Sequence, residues 1–415
     1  MTKSSFLRFR SRSGVVLTGL LLLALGGCGG GGSTTTAERA DRDFAFDSML
    51  QTISDEVVIP RQKTAQQSTE RLANEISSYC ESIGTDNEAI EYASINETWN
   101  QAMDAAQWID SYEFTPSSEN SAALKQRIHS FASTRLSRCG LDQAVVLKER
   151  NAYEVSTRSF NQRGLGAVEY LLFNEDLDHS CSQQISETRE WNTLDDKQRK
   201  ILRCELAEDI AADISLASTE LVDRWDRNRG NFRSEFLNPE NLSASLEQIL
   251  STLFYIELVT KDDKLGLPTQ INSECSGAQC LNALESPYTN RTFENLLINM
   301  RSFLELYEGA SGLGFDDLIR AKDLDGIASQ YRTFIQAAEQ IITTSENSLE
   351  LQAQAIQLPA NEELCLSARM NPDTESALSA CRLYGQLKIL TDSLRTEFLG
   401  AVNLDLPERA QSDND

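Results

Sequence analysis

Apolar residues recur every three or four positions over long stretches of this chain, a period that gathers them onto one face only in an α-helix. Ile90, Ile95, Trp99, Met103, Ala106 and Ile109 mark one such stripe, beginning near residue 86. Leu202, Leu206, Ile210, Ile214, Ala217, Leu221 and Trp225 mark a second, long enough to form one wall of a bundle. Three more follow: Phe293, Leu297, Met300, Leu304 and Tyr307; then Leu324, Ile327, Tyr331, Phe334, Ala338 and Ile341; then Leu383, Leu387, Leu390, Leu394 and Phe398. No stretch of comparable length alternates apolar and polar residues with β-branched enrichment, so the sequence predicts an all-α fold. With only 8 prolines in 415 residues, such helices run without interruption.

A polar region from Asp226 to Asn241, rich in Asn, Arg and Gly, falls between the second and third stripes. It predicts two helical-bundle halves, 41–235 and 236–408, followed by a polar tail at 409–415. Each half carries a Gly-Leu-Gly segment with an acidic residue three positions on: Gly164-Leu165-Gly166 with Glu169, and Gly312-Leu313-Gly314 with Asp317. Both sit after a helical stretch and before apolar residues, which points to halves related by an internal duplication.

The N-terminus is an address. Lys3, Arg8, Arg10 and Arg12 precede an apolar run from Val15 to Leu25. That run reaches about half of a ~30 Å hydrocarbon core, too short to span it. Leu25-Gly26-Gly27-Cys28 resembles a bacterial lipoprotein signal box, so residues 1–27 read as a cleaved signal peptide and Cys28 as the lipidated first residue. Residues 28–40 then hold the anchor and a tether, flexible because the Gly, Ser and Thr of Gly29–Thr36 do not pack. In lipoprotein sorting, Gly29 rather than Asp after the Cys points to the outer membrane. The expected partner is therefore the membrane, reached through Cys28.

Eight further cysteines, Cys80, Cys139, Cys181, Cys204, Cys275, Cys280, Cys365 and Cys381, make an even set in an exported chain and read as disulfides. The simplest set joins sequence neighbours: Cys80 with Cys139, Cys181 with Cys204, Cys275 with Cys280, and Cys365 with Cys381. A zinc-thiolate site is disfavoured, because no CxxC pair occurs and the chain has just 2 histidines. The charge balance excludes nucleic acid as a partner. With 38 Lys and Arg against 63 Asp and Glu, the net charge is −25, whereas phosphate binding needs clustered basic residues. An acidic surface suits solubility or the attraction of cations.

The most specific segment runs Arg163-Gly164-Leu165-Gly166-Ala167-Val168-Glu169-Tyr170-Leu171-Leu172-Phe173. It resembles the imelysin signature, GxHxxE followed by an aromatic residue and two leucines. Gly164, Glu169, Tyr170, Leu171 and Leu172 match, while Gly166 stands at the histidine position. Ser286–Thr292 opening a helix, Glu305–Gly309 closing it, and Leu394–Gly400 are similar to the same family, so the resemblance covers residues 45–405. It implies two helical bundles, a cleft between them lined by the signature, and a peptidase activity or a role in iron transport, with iron or zinc as the cofactor.

A His and a Glu at i and i+3 share one helical face, where imidazole and carboxylate can hold a metal or a proton together. Glycine offers neither, and no HxxE or HExxH occurs elsewhere to replace it. Glu169 is thus the candidate catalytic and metal-binding carboxylate, without its nitrogen partner. Gly164, Gly166, Glu169, Tyr170, Gly312, Gly314 and Asp317 are the candidate ligand-binding residues. His129 lies in an apolar pattern beside Ile128 and reads as a packed side chain; His179, between Asp178 and Ser180, reads as a loop histidine. Neither Gly-Leu-Gly segment continues as a phosphate loop, and two histidines in such contexts leave little material for a serine or cysteine triad. The expectation is a lipid-anchored ligand-binding protein associated with iron or metal uptake. The alternatives are a metallopeptidase using Glu169 with a replacement ligand, and a structural envelope lipoprotein.

Overall fold

The structure is a computed structural model that describes residues 43–118, 123–132, 134–272, 277–407 and 410–411. The expected signal peptide and the lipidation of Cys28 lie outside the described residues, as does Cys275 of the expected Cys275–Cys280 pair. Among those described the regular elements are helices, with no strand. The all-α expectation holds: with no strand among the described residues to cover them, the period-3.6 stripes are buried by packing helix on helix.

In the N-terminal half, α1 (Ile59–Ser82) packs along both α2 (Glu88–Asp110) and the long α5 (Asp196–Trp225), while α3 (Arg138–Glu149) and α4 (Leu165–Phe173) lie against α5. The start of α5 is fixed by a capping box. The Asp195 carboxylate accepts from Gln198 N at 2.9 Å, and the Gln198 side chain accepts from Asp195 N at 3.3 Å. Further on, α6 (Leu242–Leu253) runs into a π-helical segment, Ile256–Gly266. Then come α7 (Thr292–Glu308), α8 (Phe315–Arg320), α9 (Asp325–Thr343) and α10 (Ser379–Ser393). The two halves meet where α7 packs on α2, and one contiguous apolar core runs through both.

The predicted stripes form that core with two exceptions. Leu206, Ile210, Ile214 and Ala217 are fully buried, as are Leu383, Leu387, Leu390, Leu394 and Phe398. Each such large side chain contributes about 1.5–3 kcal/mol of transfer free energy. Ile90, however, is 68% exposed, because it lies in the first turn of α2 and burial there begins at Ile95. Leu324 is also exposed, since it precedes α9 rather than lying on it. Residues Pro239–Gly266 are apolar and long enough to cross a membrane, but 61% of their most apolar window is buried within the protein, where Ile249, Leu253, Phe254 and Leu265 join the interior.

Two of the sequence-neighbour disulfides are not formed. Cys80 bonds Cys204 and Cys139 bonds Cys181, whereas Cys365–Cys381 is as expected. The reason is helix packing. Cys80 near the end of α1 lies beside α5 and meets Cys204 there, so Cys139 at the start of α3 is left to the loop after α4 that carries Cys181.

Candidate functional site

The signature segment opens with a turn that only glycine fits comfortably. Gly164 has φ +78°, and a Cβ placed on it would stand 2.9 Å from the Ile128 carbonyl oxygen. The Gly164 carbonyl accepts from Ala167 N and Val168 N, which starts α4, and Trp99 Nε1 donates to the Leu165 carbonyl at 3.1 Å. Every residue of α4 except Gly166 is buried. At Gly166 an added Cβ would meet nothing nearer than Leu136 Cδ1, at 4.0 Å, so the position where the signature would carry an imidazole faces open space.

One turn further, Glu169 points to residues 119 and 120 positions away. Its Oε1 accepts from Tyr288 N at 3.0 Å, Thr289 N at 3.0 Å and Thr289 Oγ1 at 2.9 Å. The two sequence segments singled out separately, 163–173 and 286–292, therefore close on one another through a single carboxylate oxygen. Burial pushes the Glu169 carboxyl up to about 8, against the pull of those three donors. At neutral pH it mostly carries a proton.

Gly166 and Glu169 line a cavity of about 400 Å³ with His129, Phe131, Leu136, Leu284, Pro287 and Tyr288, and with Arg135 and Arg138 also in its wall. The other candidates lie elsewhere. Tyr170 donates to Asp142 Oδ1 at 2.9 Å and packs edge-on against Tyr288, which makes it a buried brace behind the cavity. Gly312 and Gly314 are packing glycines: a Cβ would come within 2.3 Å of the Thr52 side chain and of the Glu308 backbone respectively. Asp317 turns back to accept from Gly314 N at 3.1 Å and caps α8. His179 sits in the loop after α4, outside the cavity wall. A larger cavity of about 520 Å³, lined by Tyr79, Tyr92, Phe173 and Lys200, opens at the far end of α4 and includes neither Gly166 nor Glu169.

The sequence profile of the imelysin family, a peptidase family, matches residues 58–371, three quarters of the chain. The chain belongs to the imelysin family. Two solved structures share its fold. One is an imelysin-like protein from Psychrobacter arcticum, 13% identical, with TM-score 0.61, covering 88% of this chain and 98% of its own. The other is the "putative iron-regulated protein A precursor" of Parabacteroides distasonis, 15% identical, with TM-score 0.58, covering 87% and 96%. No curated protein matches the chain.

An imelysin fold with an implied metal raises the question of which residues could hold one. Glu169 alone cannot, since Gly166 brings no nitrogen and the bonded oxygen is saturated with donors. Among the described residues one cluster has suitable donors: Asp110 of α2, His129, and Glu285 ahead of α7, all buried, with ligand atoms within 4.8 Å of one another. His129 Nε2 lies 2.8 Å from Glu285 Oε1, within hydrogen-bonding distance of that carboxylate. The cluster already contains a cation. Lys264 Nζ, fully buried, lies 2.9 Å from Glu285 Oε1, 3.1 Å from Asp110 Oδ2, 2.7 Å from Gln107 Oε1 and 2.9 Å from Asn299 Oδ1.

Burial pushes both carboxyls up, but the Lys264 ammonium and His129 outweigh it and hold Asp110 and Glu285 below the usual carboxylate range. The donor chemistry would suit a divalent ion, but the space at its centre is taken, so the residues present do not fit a resident metal. Sequence reasoning missed Asp110, Lys264, Glu285, Gln107 and Asn299. Their numbers follow no common period, and Lys264 sits in a π-helical turn where 3.6-residue patterns break down.

Proposed function

We propose that this imelysin-family chain is an exported, lipid-anchored binding protein of the cell envelope, whose ligand is an iron-containing compound taken into the cavity beside Gly166. The observation that carries this reading is the open space at Gly166: a wall position that would hold a ligating imidazole offers room instead. The wall is mainly apolar, with guanidinium groups of Arg135 and Arg138 in it, which suits an organic compound better than a bare cation. The connection with iron comes from the iron-regulated name of the Parabacteroides protein. Anchoring rests on the Leu-Gly-Gly-Cys sequence ending at Cys28.

Calorimetric titration of the mature protein with haem and with ferrous, ferric and zinc ions tests the reading. A haem or iron signal at micromolar affinity, weakened at least roughly tenfold by Gly166→Phe, which fills the cavity, is the expected result. Zinc-dependent cleavage of a denatured protein substrate that is abolished by Glu169→Ala would overturn it in favour of a peptidase. For the anchor, Cys28→Ser is expected to move the protein from the membrane fraction to the soluble fraction.

A further inference from the structure

We infer that Lys264 is a built-in cation that fills the divalent-metal position formed by Asp110, His129 and Glu285, and that removing its ammonium turns this cluster into a metal site. The inference concerns a cluster that shares His129 and Glu285 with the cavity wall, and it stands whether or not the cavity binds iron. The argument begins with the oxygens. Four of them, from α2, the segment before α7 and α7 itself, converge on Nζ at 2.7–3.1 Å. An ammonium has three protons, and three of the four oxygens also accept from neighbours: Gln107 Oε1 from Asn299 Nδ2, Glu285 Oε1 from Gln107 Nε2, and Asp110 Oδ2 from Tyr255 Oη. The oxygens thus enclose the ammonium on several sides, as they would a small cation.

Two buried polar atoms in the cluster find no partner, Asp110 Oδ1 and His129 Nδ1. Buried polar atoms are nearly always satisfied, so these two mark unused coordinating capacity. The ammonium is also walled by aromatic faces, with Tyr255 at 5.5 Å and Phe131 at 6.0 Å from Nζ. Those rings favour a cation, and the Tyr255 hydroxyl donates to Asp110 Oδ2 beside it.

A zinc ion bonded to the same oxygens would stand at about 2.0–2.2 Å from them, at the point the nitrogen now occupies. Two cations cannot share that point, and the lysine is fully buried. The wild-type cluster is therefore closed to metal by its own side chain. Its carboxylates are held ionised and in place by a group that cannot be chelated away.

Two measurements test this. In the wild-type protein, ¹⁵N spectra of lysine side chains should show a slowly exchanging Lys264 ammonium signal that excess zinc leaves unchanged; its loss on zinc addition would overturn the inference. In Lys264→Ala, cobalt(II) should bind one to one with a visible d–d band, at least roughly tenfold tighter than to the wild type, and should raise the melting temperature. Adding Glu285→Gln should abolish the band. A folded Lys264→Ala protein without that band, or a wild-type band lost on Glu285→Gln, would also overturn it. Metal binding to the wild type that is sensitive to Gly166→Phe and indifferent to Glu285→Gln would belong to the cavity, so the two readings fail separately.

Discussion

Glu169 spends its hydrogen-bonding capacity on holding two distant segments together, and it does so as a buried acid. Its usual value of 4.5 is raised to about 8, mainly by burial. A carboxyl with a raised folded value binds its proton more tightly in the folded protein. Its contribution to stability is complete below about 4.5 and is lost as pH rises towards 8. Glu169→Gln keeps an oxygen for the three donors and removes the titration. The melting temperature of this variant should therefore fall less steeply than that of the wild type between pH 5 and 8, the gap corresponding to roughly 1–4 kcal/mol. Parallel melting curves across that range would contradict the buried-acid assignment.

The neighbouring glycines should part company. Gly164→Ala forces a side chain into positive φ against the Ile128 carbonyl and should cost about 1–3 kcal/mol in chemical denaturation. Gly166→Ala lies in a helix facing open space and should be neutral or stabilising by up to about 1 kcal/mol. At this scale the signature was legible as a local pattern. Its partners were not, because nothing in the sequence says that a Glu169 oxygen meets the amides of Tyr288 and Thr289.

At the scale of elements, periodicity found the long helices and misjudged their ends. It took in Ile90 and Leu324 because a stripe extends as far as its apolar residues do, whereas burial stops where the neighbouring helix stops covering it. Cysteine pairing failed for a related reason: proximity in sequence is a poor guide once antiparallel helices bring residue 80 beside residue 204. That geometry has an energetic consequence. A cross-link spanning 124 residues restricts the unfolded chain more than one spanning 16. By chain entropy the long loop is worth about 4–5 kcal/mol and the short one about 3. Replacing Cys80 and Cys204 by Ala together should lower the melting temperature more than the same change at Cys365 and Cys381. A larger loss from the short loop would show that native-state packing around Cys365 outweighs loop closure.

At the scale of the whole molecule, apolar packing continues across the polar stretch near residue 236. The core is contiguous through both halves, and the junction between α2 and α7 is polar as well as apolar. Asn299 Nδ2 donates to the Gln107 carbonyl at 2.9 Å, Gln107 Nε2 donates to Glu285 Oε1 at 2.9 Å, and Lys264 joins Asp110 to Glu285. All of these links cross from one half to the other except Lys264–Glu285, which lies within the second. Cutting the chain would take the Lys264 ammonium and the Tyr255 hydroxyl from Asp110 and open to water the face of α2 that packs on α7. It would also strip Glu169 of all three of its donors. Against a total stability of about 5–15 kcal/mol, these losses leave a half-chain little margin. Residues 41–235 alone should therefore show no cooperative thermal transition by circular dichroism, while the whole body unfolds in a single step with equal calorimetric and van't Hoff enthalpies. A sharp, reversible melt of the isolated piece would mean that each half carries its own sufficient core, and that the buried network across α2 and α7 serves the site rather than the fold.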